Sequence, residues 1–153
     1  MKKIAGFIGL AFLHLMVACS SVTPQWQPTA VTDFKSIAGK WEGVLTSNDP
    51  RALNFDRVTL VIDDTGGCES AITRTMTKVQ GASVSYDTVD VFAEKTQLVL
   101  TSDKLSATFE KGGRMTAQLH VDPASGERML RAEGRSSRGF TYSADLKRTG
   151  DSA

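Results

Sequence analysis

Histidine is nearly missing from this chain: its 153 residues include only His14 and His120. His120 and Asp122 form a His-x-Asp that would place both side chains on one strand face, too few ligands to close a zinc site. A serine nucleophile elbow needs Gly-x-Ser-x-Gly, which does not occur, and no glycine-rich phosphate loop appears. The two cysteines, Cys19 and Cys68, allow at most one internal disulfide. A net charge of +1 gives no broad electrostatic attraction for nucleic acid. Proline is absent between Arg51 and Asp122, so strands there can occupy interior sheet positions. These shortages leave no catalytic residue, metal or cofactor to assign, and a non-enzymatic role is expected.

What is present begins with targeting. Met1-Lys2-Lys3 precedes an apolar run over residues 4–17, interrupted only by His14 and too short for a comfortable membrane span. The run ends in "LMVACSS". Val17, Ala18 and Cys19 resemble the bacterial lipoprotein processing motif, with Met16 standing where leucine is usual. The resemblance implies a signal peptide over residues 1–18 and lipidation of Cys19, whose acyl chains would tether the protein without spanning the membrane. Ser20 after the cysteine, rather than Asp, implies the outer membrane, with the domain facing the periplasm. Removing residues 1–18 discards two lysines and no acidic residue, taking the net charge from +1 to −1. With the Cys19 sulfur occupied, Cys68 has no partner in the chain, although the compartment permits disulfides.

Residues 19–31 are polar, contain Pro24 and Pro28, and read as a flexible linker. Residues 32–149 form one domain and residues 150–153 a short tail. The domain is expected to be all-β: short runs of Val, Thr and aromatic residues alternate with polar ones between Gly, Asn and Asp clusters. Ile37, Gly39, Trp41, Gly43 and Leu45 share one face, and Val58, Leu60 and Ile62 the next. "SAITRTMTKV" follows, then "SVSY" and "TVDVF", with a parity change near Asp87-Thr88 that predicts a bulge. Leu105-Ala107-Phe109 turns through "KGG" into Met115-Ala117-Leu119-Val121. "DPASGE" turns into Leu130-Ala132, and Phe140-Tyr142-Ala144-Leu146 ends the set. Eight or nine strands at this spacing suit an up-and-down antiparallel barrel or a strongly curved sheet.

The stretch "TDFKSIAGKWEGVL" resembles the first signature of lipocalins and other calycins: an Asp-Phe start and a short helical turn leading into Gly-x-Trp on the first strand. Asp33, Phe34, Ile37, Gly39 and Trp41 carry the match, and Glu42 departs from it. The resemblance implies that Gly39 and Trp41 close the barrel base, with a basic residue of the last strand, Lys147 or Arg148, packed across the Trp.

"VIDDTGGCES" contains Asp64-Thr65-Gly66, the aspartic-protease triplet, but only once, and Asp63 occupies a normally apolar position. Two carboxylates must share a proton in that chemistry, whereas "DDTGG" has the residues of a tight turn. A hairpin is expected. Cys68 reads as a buried inert thiol. Arg128, Arg131, Arg135 and Arg138 make the most basic stretch, either an anion contact or an ordinary solvated face. The expected function is binding of a small apolar or amphipathic molecule inside the barrel, with Trp41, Phe109, Phe140 and Tyr142 as walls. The alternative is an envelope protein-interaction or inhibitor module with a filled core that acts through loops such as "TSNDPRALNFD" and "DPASGE".

Overall fold

Eleven strands and no helix make up the described part of the computed structural model, which covers residues 23–50 and 56–150. The signal segment, Cys19 and the end of the tail lie outside the described residues. The strands are β1 (Gln27–Thr29), β2 (Gly39–Val44), β3 (Thr46–Ser47), β4 (Arg57–Ile62), β5 (Gly67–Gln80), β6 (Ser83–Gln97), β7 (Val99–Leu100), β8 (Leu105–Thr108), β9 (Arg114–Val121), β10 (Arg128–Arg135) and β11 (Thr141–Gly150). They form one antiparallel sheet in the order β6-β5-β4-β2-β11-β10-β9-β8-β7. Chain neighbours pair from β4 to β6 and from β7 to β11, β2 pairs with β4, β1 and β3 join off this path at β9 and β11, and the last strand returns to pair with β2, so the sheet curls into a half-barrel.

The curl nearly brings β6 to β8, and side chains bridge the seam. Thr96 Oγ1 donates to Thr108 O at 3.1 Å, and the Glu94 carboxylate accepts the Glu110 N–H. Phe92 meets Phe109 edge-to-face, with centroids 5.4 Å apart. The other Glu94 oxygen is buried without a hydrogen-bond partner among the described residues.

Alternation sets the core. On β9, Met115, Ala117 and Leu119 point inward; Leu130 and Ala132 do so from β10, and Ala144 and Leu146 from β11. Trp41, Leu60, Ile62, Leu105, Leu130 and Leu146 are almost wholly buried, each contributing about 1.5–3 kcal/mol from lost apolar exposure. Ile37 and Phe34, on the turn over residues 34–37, plug one end beneath Trp41; Asp33 Oδ1 accepts the Ser36 N–H at 2.8 Å there.

Three features differ from the sequence expectation. Residues 27–29, inside the segment read as linker, form β1 on the edge of β9 beyond β8, and Val31 joins the core. The bulge lies at Val91, between the pairs Ile72↔Phe92 and Thr73↔Asp90, rather than near Asp87-Thr88. Both faces of the strand are wet at Asp87, so hydrophobic parity carries no register information there. Finally, β4 stops at the pair Arg57↔Thr73, and beyond it β5 and β6 continue as a two-stranded ribbon with no third strand among the described residues. Seven further pairs, Arg74↔Val89 to Gln80↔Ser83, extend it by roughly 23 Å at about 3.3 Å per residue. Gly81, with φ +61°, makes its two-residue turn.

Candidate functional site

The half-barrel has unlike ends. At one, the 34–37 turn and Trp41 fill the interior, and the N-terminal segment arrives beside the β9–β10 turn, where Gln25 N donates to Asp122 Oδ1 at 3.3 Å. At the other lies a cavity of about 480 Å³, open to solvent, within the range of about 300–1,000 Å³ common for small-molecule sites. Ile72, Phe92, Phe109, Phe140 and Tyr142 supply its apolar lining.

Each wall follows from a local constraint. Phe109 closes the β8–β9 turn, its N–H donating to Gly113 O at 2.9 Å, and its ring packs on Phe92 across the seam. Tyr142 lies opposite Gly134 in the β10–β11 ladder, and its ring covers the glycine so closely that a Cβ there would stand 2.3 Å from Tyr142 Cζ. Its hydroxyl donates to Arg114 O at 3.2 Å, and burial raises the phenol pKa. Phe140 leads into β11 from the turn over residues 136–140, held by Ser136 N donating to Phe140 O at 2.8 Å.

A partly buried ion pair sits in the same wall. Asp56, 1 % exposed, receives Arg74 Nε at 2.8 Å and Nη2 at 2.7 Å. This bidentate bond is the main cause of the raised Arg74 pKa, with the Asp56 and Asp49 charges adding to it. Removing one partner of such a pair strands the other charge, and the pair stands where the β4–β5 ladder ends. Neither residue was singled out from the sequence. The available signal was Arg74 itself, a charge at the inward parity of Ile72, which requires a partner.

Of the four aromatics expected as interior walls, Phe109, Phe140 and Tyr142 come together at the cavity. Trp41 does not: it is fully buried near the opposite end, its indole Nε1 donating to Ile37 O at 2.8 Å. Arg148 stands directly opposite Trp41 in the β2–β11 ladder, and its Nη2 donates to Ala38 O at 2.7 Å. Gly39, with φ +134°, leaves room for it: a Cβ there would be 3.0 Å from Arg148 Nε and 2.6 Å from Gly150 O. Lys147 pairs with Glu42 in register.

The Asp64-Thr65-Gly66 triplet is the β4–β5 turn. Asp63 Oδ1 accepts the Thr65 and Gly67 N–H groups, both at 2.8 Å, and the Thr65 hydroxyl at 2.7 Å. The Thr65 hydroxyl bond is the first cause of Asp63's lowered pKa. Gly66 has φ +90° and lies against Phe34. Asp122 accepts the Ser125 hydroxyl at 2.7 Å in the next turn, while His120 Nδ1 lies 3.2 Å from Gln118 O. No group of three or more His, Cys, Asp or Glu among the described residues is placed to hold a metal. Three arginines of the basic stretch have partners in the chain: Arg128 at Ser36 O, Arg131 at Asp145 and Arg135 at Gly139 O. Arg138 lines the cavity.

Across family models, curated proteins and solved structures, nothing matches this chain.

Proposed function

We propose that the protein is a lipid-tethered envelope module that binds an apolar or amphipathic small molecule at the open end of its half-barrel. The aromatic cavity carries this reading: Phe92, Phe109, Phe140 and Tyr142 surround an open volume at the end away from Trp41. The tether comes from the resemblance around Cys19. In this reading the described N-terminal segment meets the domain at the filled end, opposite the cavity.

A fluorescent fatty acid titrated into the purified chain should bind saturably at one site. Val91→Trp puts bulk at the cavity wall and weakens that binding, whereas Val44→Trp, equally exposed at 49 % but outside the cavity, leaves it unchanged. No saturable binding, or equal effects of the two substitutions, contradicts the proposal.

A second reading, protein interaction, has its own support. Among the described residues, six of the eight exposed large hydrophobics, including Val79 at 68 % and Tyr86 at 70 %, lie between residues 76 and 91 on the ribbon and at its root. An exposed apolar ribbon whose edges pair with no other strand among the described residues is a surface suited to a partner. Loss of a complex after Val79→Ser and Tyr86→Ser, with fatty-acid uptake absent from the unchanged protein, would favour it.

A further inference from the structure

We infer that the ligand of the open-end cavity is an anionic amphiphile, its carboxylate or phosphate head group held between Lys111 and Arg138. This rests on the ligand-binding reading above and adds a head-group chemistry to it.

The two cations come from neighbouring turns. The β8–β9 turn, over residues 109–113, and the β10–β11 turn, over residues 136–140, press together so tightly that a Cβ on Gly112 would lie 3.2 Å from Ser137 Cβ. Lys111 and Arg138 flank that contact, one on each turn, and both line the cavity. The charges around the cavity divide into committed and uncommitted sets. Arg74 is bound to Asp56 by two hydrogen bonds, and the Asp49 charge also acts on Arg74. Lys111 and Arg138 have no carboxylate within salt-bridge distance among the described residues. Lys111 Nζ instead sits 5.6 Å from the centroid of Phe92, an apolar wall of the same cavity. Arg138 is the one arginine of its basic stretch with no hydrogen bond or ion pair to a described residue.

An acyl chain lying against Phe92, Phe109 and Phe140 would therefore end where two unneutralised donors stand. A guanidinium matches a carboxylate or phosphate with two parallel hydrogen bonds, and the ammonium adds a point charge. The apolar strip continues outward along the ribbon root, through Val91 and Val89. This gives the tail a path leading away from the head group.

The test is calorimetric titration of the full chain with decanoate, decyl phosphate, decan-1-ol and inorganic phosphate, each against wild type and the Lys111→Gln/Arg138→Gln variant. Both residues lie on exposed turns, and circular dichroism checks that the variant is folded. The expected result is that the two anionic amphiphiles bind wild type about ten-fold tighter than decan-1-ol, a difference of ~1.4 kcal/mol. That advantage collapses in the variant while decan-1-ol binding is unchanged. The ranking of decanoate against decyl phosphate identifies the head group. Equal binding of alcohol and anions overturns this inference and leaves the cavity reading standing, as does an anionic preference that survives in the variant. Inorganic phosphate binding as tightly as decyl phosphate overturns it too, because the tail then contributes nothing. If none of the four binds, the cavity reading itself fails.

Discussion

Burial pushes the Cys68 thiol up to about 11 from its ordinary value of 9.0, and the Ser70 hydroxyl 3.6 Å away is its only side-chain hydrogen-bond partner among the described residues. The folded state therefore keeps the proton that the unfolded chain releases above about pH 9. The stability contributed by the neutral thiol is complete below pH 9 and is lost as pH rises toward 11, by up to roughly 2–3 kcal/mol. The raised Tyr142 phenol acts in the same direction. Urea denaturation at pH 8 and pH 10.5 should show this fall, and Cys68→Ala should make it shallower; an equally steep fall in the variant would contradict it. At this scale the sequence was informative wherever a residue's role is local. A cysteine one step past a turn on an inward face reads as a buried thiol, and "DDTGG" reads as a turn from its own side chains. It was less informative where a role depends on a distant partner. Nothing near Asp56 announces Arg74, 18 residues away, and nothing near Phe109 announces Phe92.

Among the elements, the β5–β6 ribbon is the least supported. Its outer seven pairs have no third strand beside them among the described residues, and an isolated two-stranded hairpin is marginal in water. Amide exchange should therefore be fast over residues 74–80 and 83–90 and slow over β9, β10 and β11, whose inward faces form the core. Uniform protection along β5 and β6 would mean that the ribbon packs against something. The strands themselves were legible because alternation survives wherever one face is buried: Met115, Ala117 and Leu119 mark β9 without ambiguity. The ribbon was not, because a strand with two wet faces and a strand at a sheet edge share the same Thr-rich, Val-rich composition. The same lack of a dry face moved the expected bulge from Val91 to Asp87-Thr88. Pro28 obscured β1, since proline in a polar stretch reads as linker although an edge strand accommodates it.

Over the whole molecule, position along the barrel axis separates the filled end from the open cavity. Trp41, Gly39 and Arg148 lock the end where the chain enters, and the cavity and ribbon occupy the other. The strand count and the curl could be read from the spacing of apolar runs. Which interior aromatics are packing and which border open space could not, because both face inward with the same parity. The proposed tether implies that Cys19→Ser releases the protein from membranes, which fractionation of cells expressing the variant checks directly; retention in the membrane fraction would refute lipid anchoring. The central claim, that the end opposite Trp41 takes up an amphiphile, is tested most directly by mapping backbone amide chemical shifts during titration with decanoate. The account predicts saturable shifts at Phe92, Phe109, Lys111, Arg138 and Tyr142, with Trp41 and Ile37 unmoved. Shifts centred on Trp41, or none at saturating decanoate, would contradict it.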